Sequence, residues 1–236
     1  MDSDLTLRAG IKDTIPTMFG YMGVGMAFGV VANTSHLPLL AILLMSLLIY
    51  AGSVEFVVTA MLVAGDPISA IILSAFLINS RIILMSISIS QYFKRDSMRQ
   101  NFFIGSLLTD ETFALAMTKI NQTEGRLTLV WFNTANMLAY LSWILATAAG
   151  AALGSLINDA KQFGLDFALV AMFIGLLYLQ IINDHSKSIQ LQLTVVFAVA
   201  IMMYFFMRWL PGELALLLAS ILGCFLGMGL SRSHAD

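Results

Sequence analysis

Charge is what this sequence has least of: only 11% of its 236 residues are Asp, Glu, Lys or Arg. A soluble domain carries about 25%, and so few charges cannot cover a water-facing surface. With 59% hydrophobic residues and a mean hydropathy of +0.87, the bilayer has to solvate most of the exterior. Net charge is −2 and no basic run occurs, which removes nucleic acid as a partner. The single cysteine, Cys224, excludes internal disulfides and Cys-based metal clusters. It lies between Gly223 and Phe225 in an apolar stretch, where packing is expected rather than thiol chemistry. No H-E-x-x-H, G-x-S-x-G or Walker-type loop is present, and His36, His185 and His234 fall in connections or the tail. No catalytic residue, cofactor or metal site is therefore expected. Asp2, Asp4 and Asp13 accompany Arg8 and Lys12 at the start, unlike the basic leader of a signal peptide, so the first apolar run is expected to be retained.

What is present is a series of apolar runs. A spanning helix needs about 20 mostly apolar residues, and eight runs qualify: 15–33, 39–64, 67–91, 101–118, 127–154, 163–182, 188–207 and 213–230. Short polar or Gly/Pro turns separate them and leave no room for a soluble domain. The fold class is all-α: a polytopic helical membrane protein of seven or eight membrane segments, one of them discontinuous or re-entrant. Residues 1–14 are expected to form an N-terminal cytoplasmic segment, 15–230 a single membrane domain, and 231–236 a polar tail. Eight full crossings would put Lys94, Arg95 and Arg99 outside, against the positive-inside tendency. If 39–64, with Gly52-Ser53 in its middle, enters and leaves on one side, that cluster moves inward beside Arg8 and Lys12. Small-residue motifs recur as Gly25/Gly29, Gly150/Gly154 and Gly223/Gly227, for which packing inside the chain is expected ahead of a subunit interface.

The functional argument rests on polar residues inside these runs, because a charge at mid-membrane costs at least about 2.5–3.5 kcal/mol. Glu55 follows Tyr50, Gly52 and Ser53, where an interrupted helix would free backbone groups for a solute. Arg81, with Asn79, is the deepest cation. It suits either a solute carboxylate or an ion pair with Glu55 or a later acid. Asp110 and Glu111 are adjacent and so point about 100° apart on a helix. One can reach the interior while the other meets Arg81, and both are candidates for proton coupling or buried ion pairing. Asn133 and Asn136 share a helical face as candidate polar lining. Asp166 reads as a charge at a helix N-terminus. Val54, Phe56 and Ile83 would cradle an apolar side chain bound near Glu55. The rival expectation is a membrane scaffold in which these groups only bind helices together.

In order and spacing these motifs resemble the AzlC family, large subunits of branched-chain amino acid exporters. The resemblance runs over nearly the whole chain: Pro16 through Gly20, Gly25 and Gly29; the Tyr-Ala-Gly-Ser stretch at 50–53; Asn79 and Arg81; Thr109-Asp110-Glu111-Thr112; and the Gly-Leu-Asp-Phe-Ala run at 164–168. It implies a bacterial inner-membrane exporter of branched-chain amino acids, in some members also methionine, linked to the proton motive force. It also implies a small membrane partner resembling AzlD. The chain departs from the family pattern at Glu55, where an uncharged polar residue is common, and after Arg81, where Ile82-Ile83-Leu84-Met85 replaces a His-Leu-Leu-Tyr-like stretch.

Overall fold

The computed structural model describes residues 3–94, 96–156, 167, 170, 174–175, 177–178, 181–182 and 187–233. The expected segment 163–182, Asp166 and most of the run at 164–168 lie outside the described residues or only partly within them. The described residues are helical, without strands, in two compact units, Met1–Leu176 and Leu177–Asp236. The first unit contains α1 (Leu7–Thr34), α2 (Leu39–Leu48), α3 (Gly52–Ala64), α4 (Ile68–Ser90), α5 (Met98–Ser106), α6 (Asp110–Gln122) and α7 (Leu129–Gly154). The second holds α8 (Ile189–Phe206) and α9 (Gly212–Ser233), where a Cβ on Gly223 would strike Val199. Among the described residues five helices are long and apolar enough to cross a bilayer: α1, α4 with its 3-10 extension to Phe93, α7, α8 and α9. The protein is an all-α, multi-pass membrane protein.

Two of the small-residue motifs pack against each other within the chain. Gly10 lies against Trp131 and Thr134, Gly25 against Trp143 and Ala146, Gly29 against Thr147, and Gly154 against Asn33. The pairs advance together, so α1 and α7 run parallel. Without hydrophobic drive between helices in lipid, such backbone approach supplies the dispersion contact that holds them. Thr6 and Thr128 cap the two helices at the same end, and the Thr128 hydroxyl donates to Leu5 O at 2.8 Å. We call this end the entry side.

α4 runs the opposite way. Its C-terminal Ile89 and the following Phe93 join Leu5, Trp131 and Phe132 at the entry side, with Phe93 stacked on Phe132 at 5.7 Å. Near its start, Ile71 belongs to the cluster of Ala32 and Ala151 at the far ends of α1 and α7. The chain must therefore leave α1 and enter α4 on the far side, then leave α4 and enter α7 on the entry side. Each intervening helix pair turns back to the side from which it came.

Helix lengths agree. The 10 residues of α2 reach about 15 Å and the 13 of α3 about 20 Å. These are about half and about two thirds of a hydrocarbon core about 30 Å thick, too short to cross it. α5 and α6, with 9 and 13 residues, match them. α6 begins beside Tyr21 at the middle of α1 and ends at Asp13 near its start: Tyr21 donates to Glu111, and Lys119 pairs with Asp13 at 2.7 Å. Trp131 Nε1 donates to the same Asp13 oxygen at 2.9 Å, mooring this hairpin to α1 and α7.

The expected interruption of 39–64 is present, but at residues 49–51, just before Gly52-Ser53, with Tyr50 in the left-handed region at φ 44°. The expectation that 101–118 is one span is corrected. Thr109 caps a new helix there, in a capping box with Thr112, and the chain breaks at Leu107–Thr109. α1 starts at Leu7 rather than at 15, because Thr6 supplies its cap.

Candidate functional site

The two hairpin tips meet at the middle of the first unit. Tyr21, Asn79, Arg81 and Trp143 lie near the midpoints of the three long helices, and the breaks before α3 and α6 face them across a narrow cleft. Its wall is made by Tyr21, Tyr50 to Ser53, Asn79, Arg81, Ile82, Thr109 to Glu111, and Trp143. The space free of atoms totals about 400 Å³ including the part open to the outside, and little more than water fits between the walls in this conformation.

The tips carry opposite chemistry. No side chain caps α3, so amides of its first turn have no partner within the helix and face the cleft with the positive end of the dipole. Arg81 adds a full charge beside them, donating from Nη2 to Ser53 Oγ at 3.0 Å. The α6 tip carries two carboxylates in its first turn, Asp110 and Glu111. Asp110 pairs with Arg81 at 2.7 Å, a bond that ties α6 to α4 across the cleft. Glu111 Oε2 accepts from the Tyr21 hydroxyl at 2.7 Å, and Tyr21 in turn meets Thr109 Oγ1 at 2.7 Å. The adjacent acids thus diverge as their helical spacing requires, one to the cation and one to a phenol. The Tyr50 hydroxyl and Asn79 Oδ1 are shielded from solvent and lack a partner of hydrogen-bond geometry, leaving two polar atoms at the cleft unsatisfied.

Glu55 is placed differently from the sequence expectation. It is fully buried behind Trp143 and does not line the cleft. Its carboxyl gathers three donors: Ser46 Oγ at 3.0 Å, Ala51 N at 3.2 Å and Trp143 Nε1 at 3.1 Å. It thereby joins α2, the break, α3 and α7, and holds the indole whose edge touches Gly52. Of the two partners expected for Arg81, Glu55 or a later acid, the structure has the later acid, Asp110. Asn136 is buried and donates toward Ile104 O at 3.5 Å, while Asn133 has a buried oxygen without a partner; neither reaches the cleft. Of the expected apolar cradle, Val54 is in the core and Phe56 packs on Phe28 at 5.4 Å, both away from the cleft. Ile83 points outward at 53% exposure, and its neighbour Ile82 lines the cleft instead. Tyr21 and Trp143 were not legible as site residues, since an aromatic in an apolar helix looks like core packing.

Among proteins of known sequence, the family model described as AzlC protein matches residues 16–157. Over 176 residues, 73% of this chain and 72% of the relative, the protein is 31% identical to the inner membrane protein YgaZ of Escherichia coli strain K12. It is 28% identical over 172 residues to the branched-chain amino acid transport protein AzlC of Bacillus subtilis strain 168, covering 71% of this chain and 65% of that one. A membrane protein of Archaeoglobus fulgidus, named only as such, is 32% identical over 183 residues, 77% of this chain and 78% of its own. No solved structure matches.

Proposed function

The chain belongs to the AzlC family, and we propose that it is the large subunit of an exporter of branched-chain amino acids in a bacterial inner membrane. The observation that carries this reading is the pairing of opposite chemistries at two facing hairpin tips. A zwitterionic amino acid has a carboxylate for the uncapped start of α3 and for Arg81, and an ammonium group for Asp110 and Glu111. Discontinuous helices that present their N-termini at mid-membrane are a recurrent way for transporters to hold such solutes. Tyr50, Gly52, Ser53 and Asn79 complete the polar wall, and Ile82, Tyr21 and Trp143 offer an apolar side for leucine, isoleucine, valine or methionine. The name of the Bacillus subtilis relative supports the substrate class. Glu55 acts from behind, positioning Trp143. Coupling to the proton motive force fits unneutralised acid in the cleft, and a small partner resembling AzlD would complete the working transporter.

The test is efflux of radiolabelled leucine from vesicles, with the chain alone and with a small partner subunit. Leucine leaving against its gradient when a proton gradient is imposed, and only with Arg81 intact, is the expected result. Well-folded protein that moves none of the four amino acids with any small partner would make the chain a scaffold.

A further inference from the structure

Among the described residues the cleft holds one cation and two carboxylates. Arg81 answers Asp110, so one negative charge remains, and it is on Glu111. Every group that faces Glu111 leaves this surplus in place. Tyr21 of α1 and Thr109 offer hydroxyls, Tyr50 at the other tip is a phenol, Trp143 of α7 does not titrate, and Asp110 beside it is another acid. The one cation, Arg81 of α4, is taken by Asp110, and Glu55 of α3 stands behind Trp143. No cation among the described residues pairs with Glu111. Glu111 holds the Tyr21 hydroxyl and the start of α6 but no cation, and an anion at this depth without a balancing charge is costly, so the site favours a positive occupant. Two are at hand for a protein of the function proposed above, on which this inference rests: a proton and the ammonium group of the solute.

We propose that Glu111 is the exchange residue, binding either one proton or the substrate ammonium group but not both. When the amino acid enters, its ammonium group displaces the Glu111 proton, which leaves to the water on the side the cleft then faces. When the amino acid departs, a proton takes its place before the cleft turns. Exclusive occupancy of one carboxylate gives opposite transport of proton and solute without a second coupling site. Tyr21 serves as a positioning residue, its hydroxyl fixing one Glu111 oxygen and leaving the carboxyl group oriented at the cleft.

The experiment is infrared difference spectroscopy of the purified full chain in lipid bilayers, following the C=O stretch of a protonated carboxylic acid. A pH titration without substrate should show a band that is absent in Glu111→Gln and present in both Glu55→Gln and Asp110→Asn, which sets it apart from any band of those two carboxyls. Tyr21→Phe should move the band to higher frequency by removing its hydrogen bond, which identifies it even if Glu111→Gln fails to fold. Adding leucine at a pH where the band is present should remove it and release one proton per leucine bound. A titration in which no band is lost in Glu111→Gln, or in which no band moves in Tyr21→Phe, overturns the assignment. Leucine that binds by calorimetry while the band stays unchanged overturns the exchange alone. A band that behaves as expected while no branched-chain amino acid or methionine binds overturns the exchange and the substrate reading together.

Discussion

Arg81 and Asp110 are only 37% and 21% exposed, in a cleft with room for little beyond water. Hydrogen bonds to charged groups contribute about 1.5–3 kcal/mol each, and a charge left behind by removing its partner is the more serious loss. Arg81→Gln is therefore expected to lower the yield of folded protein. Adding Asp110→Asn should restore much of it, because both charges are then gone. Adding Glu55→Gln should not, since Glu55 bonds to Ser46, Ala51 and Trp143 instead. Fluorescence size-exclusion chromatography of the single and double variants reads the outcome, and rescue by Glu55→Gln alone would reverse the pairing. A glutamine at this position could still accept from Ala51 and Trp143 while its amide donates to Ser46.

At the scale of elements, the α1–α7 seam decides whether the hairpins have a frame to insert into. A Cβ at Gly29 would collide with the backbone of Thr147 and Ala151, and one at Gly150 with Met26 O. Backbone cannot rotate away as a side chain can, so a methyl group there separates the helices. Gly29→Ala is expected to destabilise by about 1–3 kcal/mol, the usual cost of overpacking. Gly20→Ala, where nothing lies within 4 Å of the added atom, should leave the melting temperature nearly unchanged or slightly raised. A thermal melt of both variants in the same detergent is the measurement, and equal melting temperatures would remove the seam from this role. The hairpins have their own anchors: Glu55 fixes the first at its break, and Lys119 with Asp13 fixes the second near the end of α6, remote from its tip.

For the whole molecule, the order long helix, hairpin, long helix, hairpin, long helix gives two copies of one plan in opposite directions. α1 with α2–α3 and α4 with α5–α6 each consist of a crossing-length helix followed by a half-depth pair, and their tips meet at mid-depth. That arrangement puts Lys94 and residues 96–99 on the same side as Lys12 and the loop at Gly65–Pro67 on the other. With Cys224 changed to serine, Lys94→Cys or Arg99→Cys should resist an impermeant thiol reagent in intact cells. Asp66→Cys should react readily. Labelling of position 94 or 99 without permeabilisation would reverse this orientation. Lys94 and Arg99 then obey the charge bias for the reason the sequence offered, because their side depends only on the first hairpin turning back; the second hairpin, which the sequence did not suggest, follows them in the chain.

Composition alone determined the class, because 11% charge cannot solvate a surface this size in water. Residue type also marked the polar centre: Tyr50, Ser53, Asn79, Arg81, Asp110 and Glu111 stand out in apolar runs, and all six line the cleft. Hydropathy was blind to the second break, since Leu107 and Leu108 are as apolar as a continuous span requires while Thr109 ends one helix by capping the next. Which acid meets Arg81 was likewise a matter of tertiary structure. Glu55 and Asp110 are equivalent as charges along the chain, and only the inward fold of both hairpins sets one behind Trp143 and the other against the guanidinium. Charge and apolarity are properties of single residues and survive in a linear reading, whereas a partner is a property of where two distant segments are brought together.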